Sequence, residues 1–199
     1  MATAIIFAKN RECARRKELL ERLKDHERMV EDVLKSWDKS QTGTLSYDEL
    51  KAWLTSMQQG VAPSESECMW VMRMAIDKTP DMEMVADLTK AFVTPKYFGR
   101  AAQSWLAYQE TKSEINAVFK KFDTNSSGGL DRSQLREVLT ALNEGGSPSD
   151  QELDYVLRRA DVIGSGDITK PELAMAISLW YTLEDQHNSE RVSFVGGGA

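Results

Sequence analysis

Three times along the 199-residue chain, apolar residues stand eight, five, four and one positions ahead of an aspartate. They are Val30, Val33, Leu34 and Trp37 before Asp38, then Ile115, Val118, Phe119 and Phe122 before Asp123, then Leu153, Val156, Leu157 and Ala160 before Asp161. Such spacing puts all four side chains on one face of a 3.6-residue helix. Twelve residues after each aspartate begins, a mirror set takes over: Leu50, Trp53, Leu54 and Met57, then Leu135, Val138, Leu139 and Leu142, then Leu173, Ala176, Ile177 and Trp180. The pattern predicts a polar twelve-residue loop between two amphipathic helices, repeated through the chain.

The loops repeat internally as well. Each of Asp38–Glu49, Asp123–Gln134 and Asp161–Glu172 opens with Asp, places Gly sixth and an apolar residue eighth (Leu45, Leu130, Ile168). One helix-loop-helix cannot cover its own apolar face, so a fourth copy is expected. Asp77–Leu88 is the candidate, preceded by Met69, Met72 and Ile76 at matching offsets, with Arg73 breaking the stripe. It is degraded: Pro80 stands fourth, Met82 sixth and Leu88 last, and an eleven-residue register ending on Asp87 suits Phe92 and Val93 less well. Its eighth residue, Met84, is apolar like the others, as expected if loops pair through a short antiparallel strand. Start-to-start distances pair the first copy with the second and the third with the fourth. The prediction is an all-α fold of two lobes with short loop-to-loop β contacts. It comprises an N-terminal helical arm (1–26), an N-lobe (27–98), a linker helix (99–113), a C-lobe (114–182) and a mobile tail (183–199). The arm, through Leu19, Leu20 and Leu23, runs as one long helix into the first repeat.

These loops resemble the EF-hand calcium loop, and over roughly residues 27–182 the chain resembles a four-hand protein of the calmodulin superfamily. A hard dication takes six to eight oxygens, and alternate residues of a tight loop supply them, with glycine permitting the turn. The resemblance implies ligands residue by residue. In the first loop they are Asp38, Ser40, Thr42, the Thr44 carbonyl, Ser46 through water and bidentate Glu49. In the third they are Asp123, Asn125, Ser127, the Gly129 carbonyl, Asp131 and Gln134, which brings one neutral oxygen where two charged ones are usual. In the fourth they are Asp161, Ser165, the Asp167 carbonyl, Thr169 and Glu172, with Ile163 contributing nothing. Two carboxylates per loop imply micromolar or weaker calcium binding, strongest at the first loop and absent from the second. Magnesium is the alternative ion at rest.

Thirty-one acidic against 25 basic residues give a formal net charge of -6, which disfavours nucleic acid as a partner. Residues 1–28 run the other way, with Arg11, Arg15, Arg16, Lys17, Arg22 and Lys24 among Glu12, Glu18 and Glu21. A solvated helix with ion pairs is the preferred reading of that arm, and contact with a membrane surface the alternative. No apolar run exceeds five residues, so no transmembrane segment is expected and a cytoplasmic location is the default. Cys13 and Cys68 read as small buried hydrophobes. His26 and His187 stand alone and no nucleophile or phosphate motif is present, so the chain is not read as an enzyme. Methionines cluster in the second copy, where Trp70, Met72 and Met74 with Met57 and Phe92 are candidates to line a groove for an amphipathic partner helix. Trp37, Trp53 and Trp180 fit the repeat frame as core, whereas Trp105 falls outside it and is assigned to an interface. Two functions remain: a calcium sensor that engages a partner helix in a calcium-modulated way, or a constitutive light-chain-like subunit clasping a helix regardless of calcium.

Overall fold

The computed structural model describes residues 21, 24–76, 87–142 and 146–195. The first helix, α1, covers 24–37, in step with the stripe that ends on Trp37. After the first loop come β1 (Leu45–Ser46) and α2 (Tyr47–Met57), then α3 (Glu65–Met74). A 3₁₀ turn (Leu88–Lys90), β2 (Phe92–Val93) and a second 3₁₀ turn (Pro95–Tyr97) lead into α4 (Phe98–Phe122). The remainder alternates β3 (Gly129–Leu130), α5 (Arg132–Leu142), α6 (Asp150–Ala160), β4 (Ile168–Thr169) and α7 (Lys170–Val195). The all-α fold with short strand contacts between loops is therefore as the repeats predict. Basic residues 9–20, Cys13, the body of the second copy at 77–86 and the start of the Gly145–Ser149 loop lie outside the described residues. No helix among the described residues is long and apolar enough to cross a membrane.

Strand register locates the second hand. In the later pair the eighth residues face each other, Leu130 opposite Ile168. In the earlier pair Leu45, also eighth, faces Val93 rather than Met84, and Ser46 faces Phe92. The second loop therefore ends in a frame that opens at Ala86, nine residues beyond Asp77. The helices agree. Counting from Ala86, the thirteenth, sixteenth and twentieth residues are Phe98, Ala101 and Trp105, the equivalents of Leu50, Trp53 and Met57. Phe98 and Ala101 are fully buried, and Trp105, 1% exposed, is core rather than interface. It holds the same repeat position as Trp180, which is equally buried. The preceding helix buries Cys68, Val71, Met72 and Ala75, each one residue ahead of an offset that Asp77 sets, whereas the following helix keeps the Ala86 frame, so extra residues separate the two halves of this hand.

Two compact units result, and they cut across the lobes predicted from the repeats. One gathers described residues of Met1–Ala62 and Ala75–Ala102, the other those of Pro63–Met74 and Gln103–Ala199. In the first, Leu45, Leu50, Leu54, Val93 and Phe98 are fully buried, and Trp53 meets the Phe98 ring edge-on at 5.8 Å between centroids. Each such aliphatic side chain contributes about 1.5 to 3 kcal/mol through burial. In the second, α6 lies along α7 and against α5, with Leu135, Leu139, Leu153, Ile168 and Leu173 enclosed between them. Helix α3 belongs to this second unit and packs on α7. Its apolar face, Cys68, Val71 and Met72, is fully buried there. The groove residues predicted above are thus divided: Met57 and Phe92 in one unit, Trp70, Met72 and Met74 in the other, with Met72 core and Phe92 59% exposed. The region assigned to a linker is part of α4, and α7 continues to Val195 where a mobile tail was expected, because nothing after Pro171 breaks a helix before Gly196.

Candidate metal-binding loops

Each described loop turns the same way because two of its residues adopt left-handed backbone. At the sixth place Gly43, Gly128 and Gly166 have φ of 75°, 83° and 88°, and at the fourth Gln41, Ser126 and Gly164 have 57°, 56° and 81°. The turn aims successive N–H groups at the opening aspartate. Asp38 accepts from Thr42 N at 3.0 Å and Gly43 N at 2.8 Å. Asp123 does so from Ser127 N and Gly128 N, both at 3.0 Å, and Asp161 from Ser165 N and Gly166 N, both at 2.9 Å. Backbone donors of the loop thus orient each aspartate.

The twelfth residue is fixed too, because it also caps a helix. Ser46 N donates to Glu49 Oε2 at 2.9 Å and Glu49 N to Ser46 Oγ at 3.4 Å, a capping box that starts α2. The other carboxylate oxygen, Oε1, accepts from Ser40 N at 2.9 Å, so both oxygens face the loop. Glu172 repeats the arrangement, accepting from Ile163 N and Thr169 N, each at 2.9 Å. Their electrostatics differ. Burial acts to raise the Glu49 carboxyl, but hydrogen bonds from Ser46 and Ser40 overcome it and hold the group at about 2. Glu172 is completely buried, and burial, reinforced by the charge of Asp161, pushes its carboxyl above the ordinary range despite donors from Thr169 and Ile163. A cation between Asp161 and Glu172 would relieve that repulsion.

Gln134 departs from both. Its Oε1 accepts from Asp131 N at 3.1 Å, preserving the cap, but in place of a second acceptor it carries Nε2, which donates to Thr124 Oγ1 at 3.2 Å. The side chain is buried, so its amide is tied down with a donor where a ligand oxygen is wanted.

Oxygen spacing ranks the loops. Ligands at right angles about a calcium ion 2.3–2.6 Å away stand roughly 3.3 to 3.7 Å apart. In the first loop Asp38 Oδ1 and Ser40 Oγ are 3.2 Å apart, Ser40 Oγ and Thr42 Oγ1 3.3 Å, and Thr42 Oγ1 and the Thr44 carbonyl 3.4 Å. In all three loops the fifth-place hydroxyl donates to the seventh-place carbonyl, loosely in the first, Thr42 to Thr44 at 3.4 Å, and tightly in the others, Ser127 to Gly129 and Ser165 to Asp167, at 2.8 Å in each. The predicted ligands of each described loop therefore fall around one turn, and in the first loop Asp38, Ser40, Thr42 and the Thr44 carbonyl stand near ligand spacing. The residues fit a hard divalent cation. Among the described residues no three or more His, Cys, Asp or Glu side chains converge, so hydroxyls and carbonyls must complete each cage. By the strand register the second hand's frame puts Ala86, Leu88, Lys90 and Tyr97 at the first, third, fifth and twelfth places, none of which brings a side-chain carboxylate.

Comparison with known proteins agrees with this geometry. Residues 112–178 match the family described as an EF-hand domain pair. The chain is 25% identical over 143 residues to cell division control protein 31 of Schizosaccharomyces pombe, covering 72% of this chain and 73% of that one. It is 25% identical over 158 residues to human centrin-3, covering 79% and 86%. With calcium-binding protein 4 of Mus musculus it shares 28% identity over 153 residues, covering 75% of this chain and 52% of that protein. Residues 112–178 are thus an EF-hand domain pair, and the rest of the chain, with a second antiparallel loop pair framed by amphipathic helices, is similar to the same calcium-binding proteins.

Proposed function

We propose that the chain is a calcium-binding regulatory protein whose first loop is its principal ion site, with weaker sites in the third and fourth loops, and which engages the helix of a partner protein in a calcium-modulated way. The observation that carries this reading is the run of four first-loop oxygens at 3.2 to 3.4 Å, closed by a carboxylate with both oxygens turned inward. Asp38, Ser40, Thr42, the Thr44 carbonyl, Ser46 and Glu49 would hold the ion there, and the ion would supply the charge that draws the two carboxylates together. Relatives named as a centrin and a calcium-binding protein support the same class. A calcium titration followed by calorimetry and tryptophan fluorescence tests it; absence of heat and of spectral change below about 100 μM calcium ends it.

One observation favours a second reading, that of a constitutive subunit. The twelfth-place side chains of all three described loops accept hydrogen bonds from backbone donors of their own loops, contacts that do not themselves require an ion. Partner complexes that persist in chelator would support this subunit role, and release in chelator would exclude it.

A further inference from the structure

Helix α3 is sequestered. Although it opens the second hand, it is held in the unit that contains the third and fourth. Glu67, only 5% exposed, accepts from the Tyr108 hydroxyl at 2.8 Å and pairs with Lys112 Nζ at 2.8 Å. Trp70 meets the Tyr108 ring at 5.9 Å between centroids, and Tyr108 meets Trp105 at the same distance. Lys112 lies over both the Trp105 and the Tyr108 rings. An amphipathic helix thus rests on α4 and α7, its acid inserted between a hydroxyl and an ammonium.

The far end of α3 reaches the fourth loop. Arg73 Nε donates to the Val162 carbonyl at 2.8 Å, and Val162 stands between Asp161 and Ile163, the first and third places of that loop. Near the start of α3, Ser64, Glu65 and Met69 share with Ser127, Ile163 and Ser165 a cavity of about 410 Å³, so two predicted ligand hydroxyls open onto a space with α3 as another wall. Helix α3 is thus bonded to the fourth loop through Arg73 and walls a space that hydroxyls of both loops line, and a guanidinium beside the fourth loop repels a dication entering it.

We propose that α3 is a built-in occupant of the helix-receiving surface of the C-terminal hand pair, tied to the fourth loop by Arg73 and released when that loop takes a divalent cation. This rests on the reading of the fourth loop as a calcium site. Binding and release are reciprocal: whatever factor calcium imposes on α3, α3 imposes on calcium, and such couplings typically start at about fivefold. Release would uncover Trp105 and Tyr108 for an external amphipathic helix carrying an acid where Glu67 now sits.

Hydrogen exchange of the full chain, read by mass spectrometry with and without saturating calcium, tests this directly. Amides of Glu65–Met74 should exchange about fivefold faster or more in calcium. Glu172→Gln should abolish that increase while leaving first-loop binding intact. Arg73→Gln should speed exchange of α3 in chelator and tighten calcium binding at the fourth loop by a matching factor. If calorimetry reports ion binding that Glu172→Gln removes, yet exchange in α3 is unchanged or slower, the release mechanism is overturned and the calcium reading stands. If no loop binds calcium, both are overturned. The wild-type comparison needs no variant to fold.

Discussion

At the scale of single residues, two neighbouring glycines answer different demands. Gly128 supplies left-handed backbone, with φ of 83° and open space around it. Gly129 instead permits two strands to approach, since a Cβ there would lie 2.9 Å from Asp167 Cβ across the β3–β4 pair. Gly129→Ala must push those strands apart and should destabilise the C-terminal unit by about 1 to 3 kcal/mol, as overpacking does. Urea unfolding measures this, and an unchanged midpoint would contradict the register. Gln134 is the residue that most limits the third loop. Gln134→Glu exchanges a donor bound to Thr124 for a second, charged acceptor and should raise third-loop calcium affinity on the order of tenfold, about 1.4 kcal/mol. Titration against a chromophoric chelator gives the value, and equal affinities would show that the amide was never the obstacle. The substitution at position 134 is plain in the sequence. That the amide nitrogen is engaged by Thr124 is not, because the bond depends on which way a buried side chain turns.

Among elements, α3 sets the most specific expectation. Lys112, Tyr108 and the Ser64 N–H keep the Glu67 carboxyl below its ordinary range against the opposing effect of burial. Its contribution to holding α3 is therefore whole above about pH 4.5, the ordinary value, and fades as pH falls below that. Hydrogen exchange in Glu65–Met74 should accelerate in this acid range before the rest of the second unit loosens, and Glu67→Ala, which leaves the buried Tyr108 hydroxyl without its acceptor and a partly exposed ammonium without its partner, should weaken the unit by about 1 to 3 kcal/mol at neutral pH. Loss of protection across the whole unit at once would argue against a separate latch. Three hands were legible from the chain because Asp, Gly and the flanking apolar stripes keep a fixed spacing. The loop of the second closes nine residues beyond the frame that opens at Asp77, because an insertion lies between it and its leading helix. Phe98, Ala101 and Trp105, at the offsets of Leu50, Trp53 and Met57, carried the correct frame. The destination of α3 had no such signal: a helix with one apolar face reads alike whichever surface it covers, and only Glu67 on that face hints at a polar counterpart.

For the whole molecule, the loop inventory limits the ions it can take. Native mass spectrometry at saturating calcium should find three equivalents, and Glu49→Gln should remove one of them; a fourth would require oxygens that the Ala86 frame lacks. Three dications would also cancel the formal net charge of -6 and with it much of the self-repulsion that keeps copies apart. The interleaving of the two units reaches further, to the way the protein is made. On a ribosome adding about 5 to 20 residues each second, α3 emerges on the order of ten seconds before α7 is complete. During that interval Cys68, Val71 and Met72 wait for α7, and the unit around β1 cannot close until β2 and the start of α4 have followed. Fragments cut between the repeats would inherit the same problem permanently, so a nascent chain or a halved one is where chaperone dependence and aggregation should appear first.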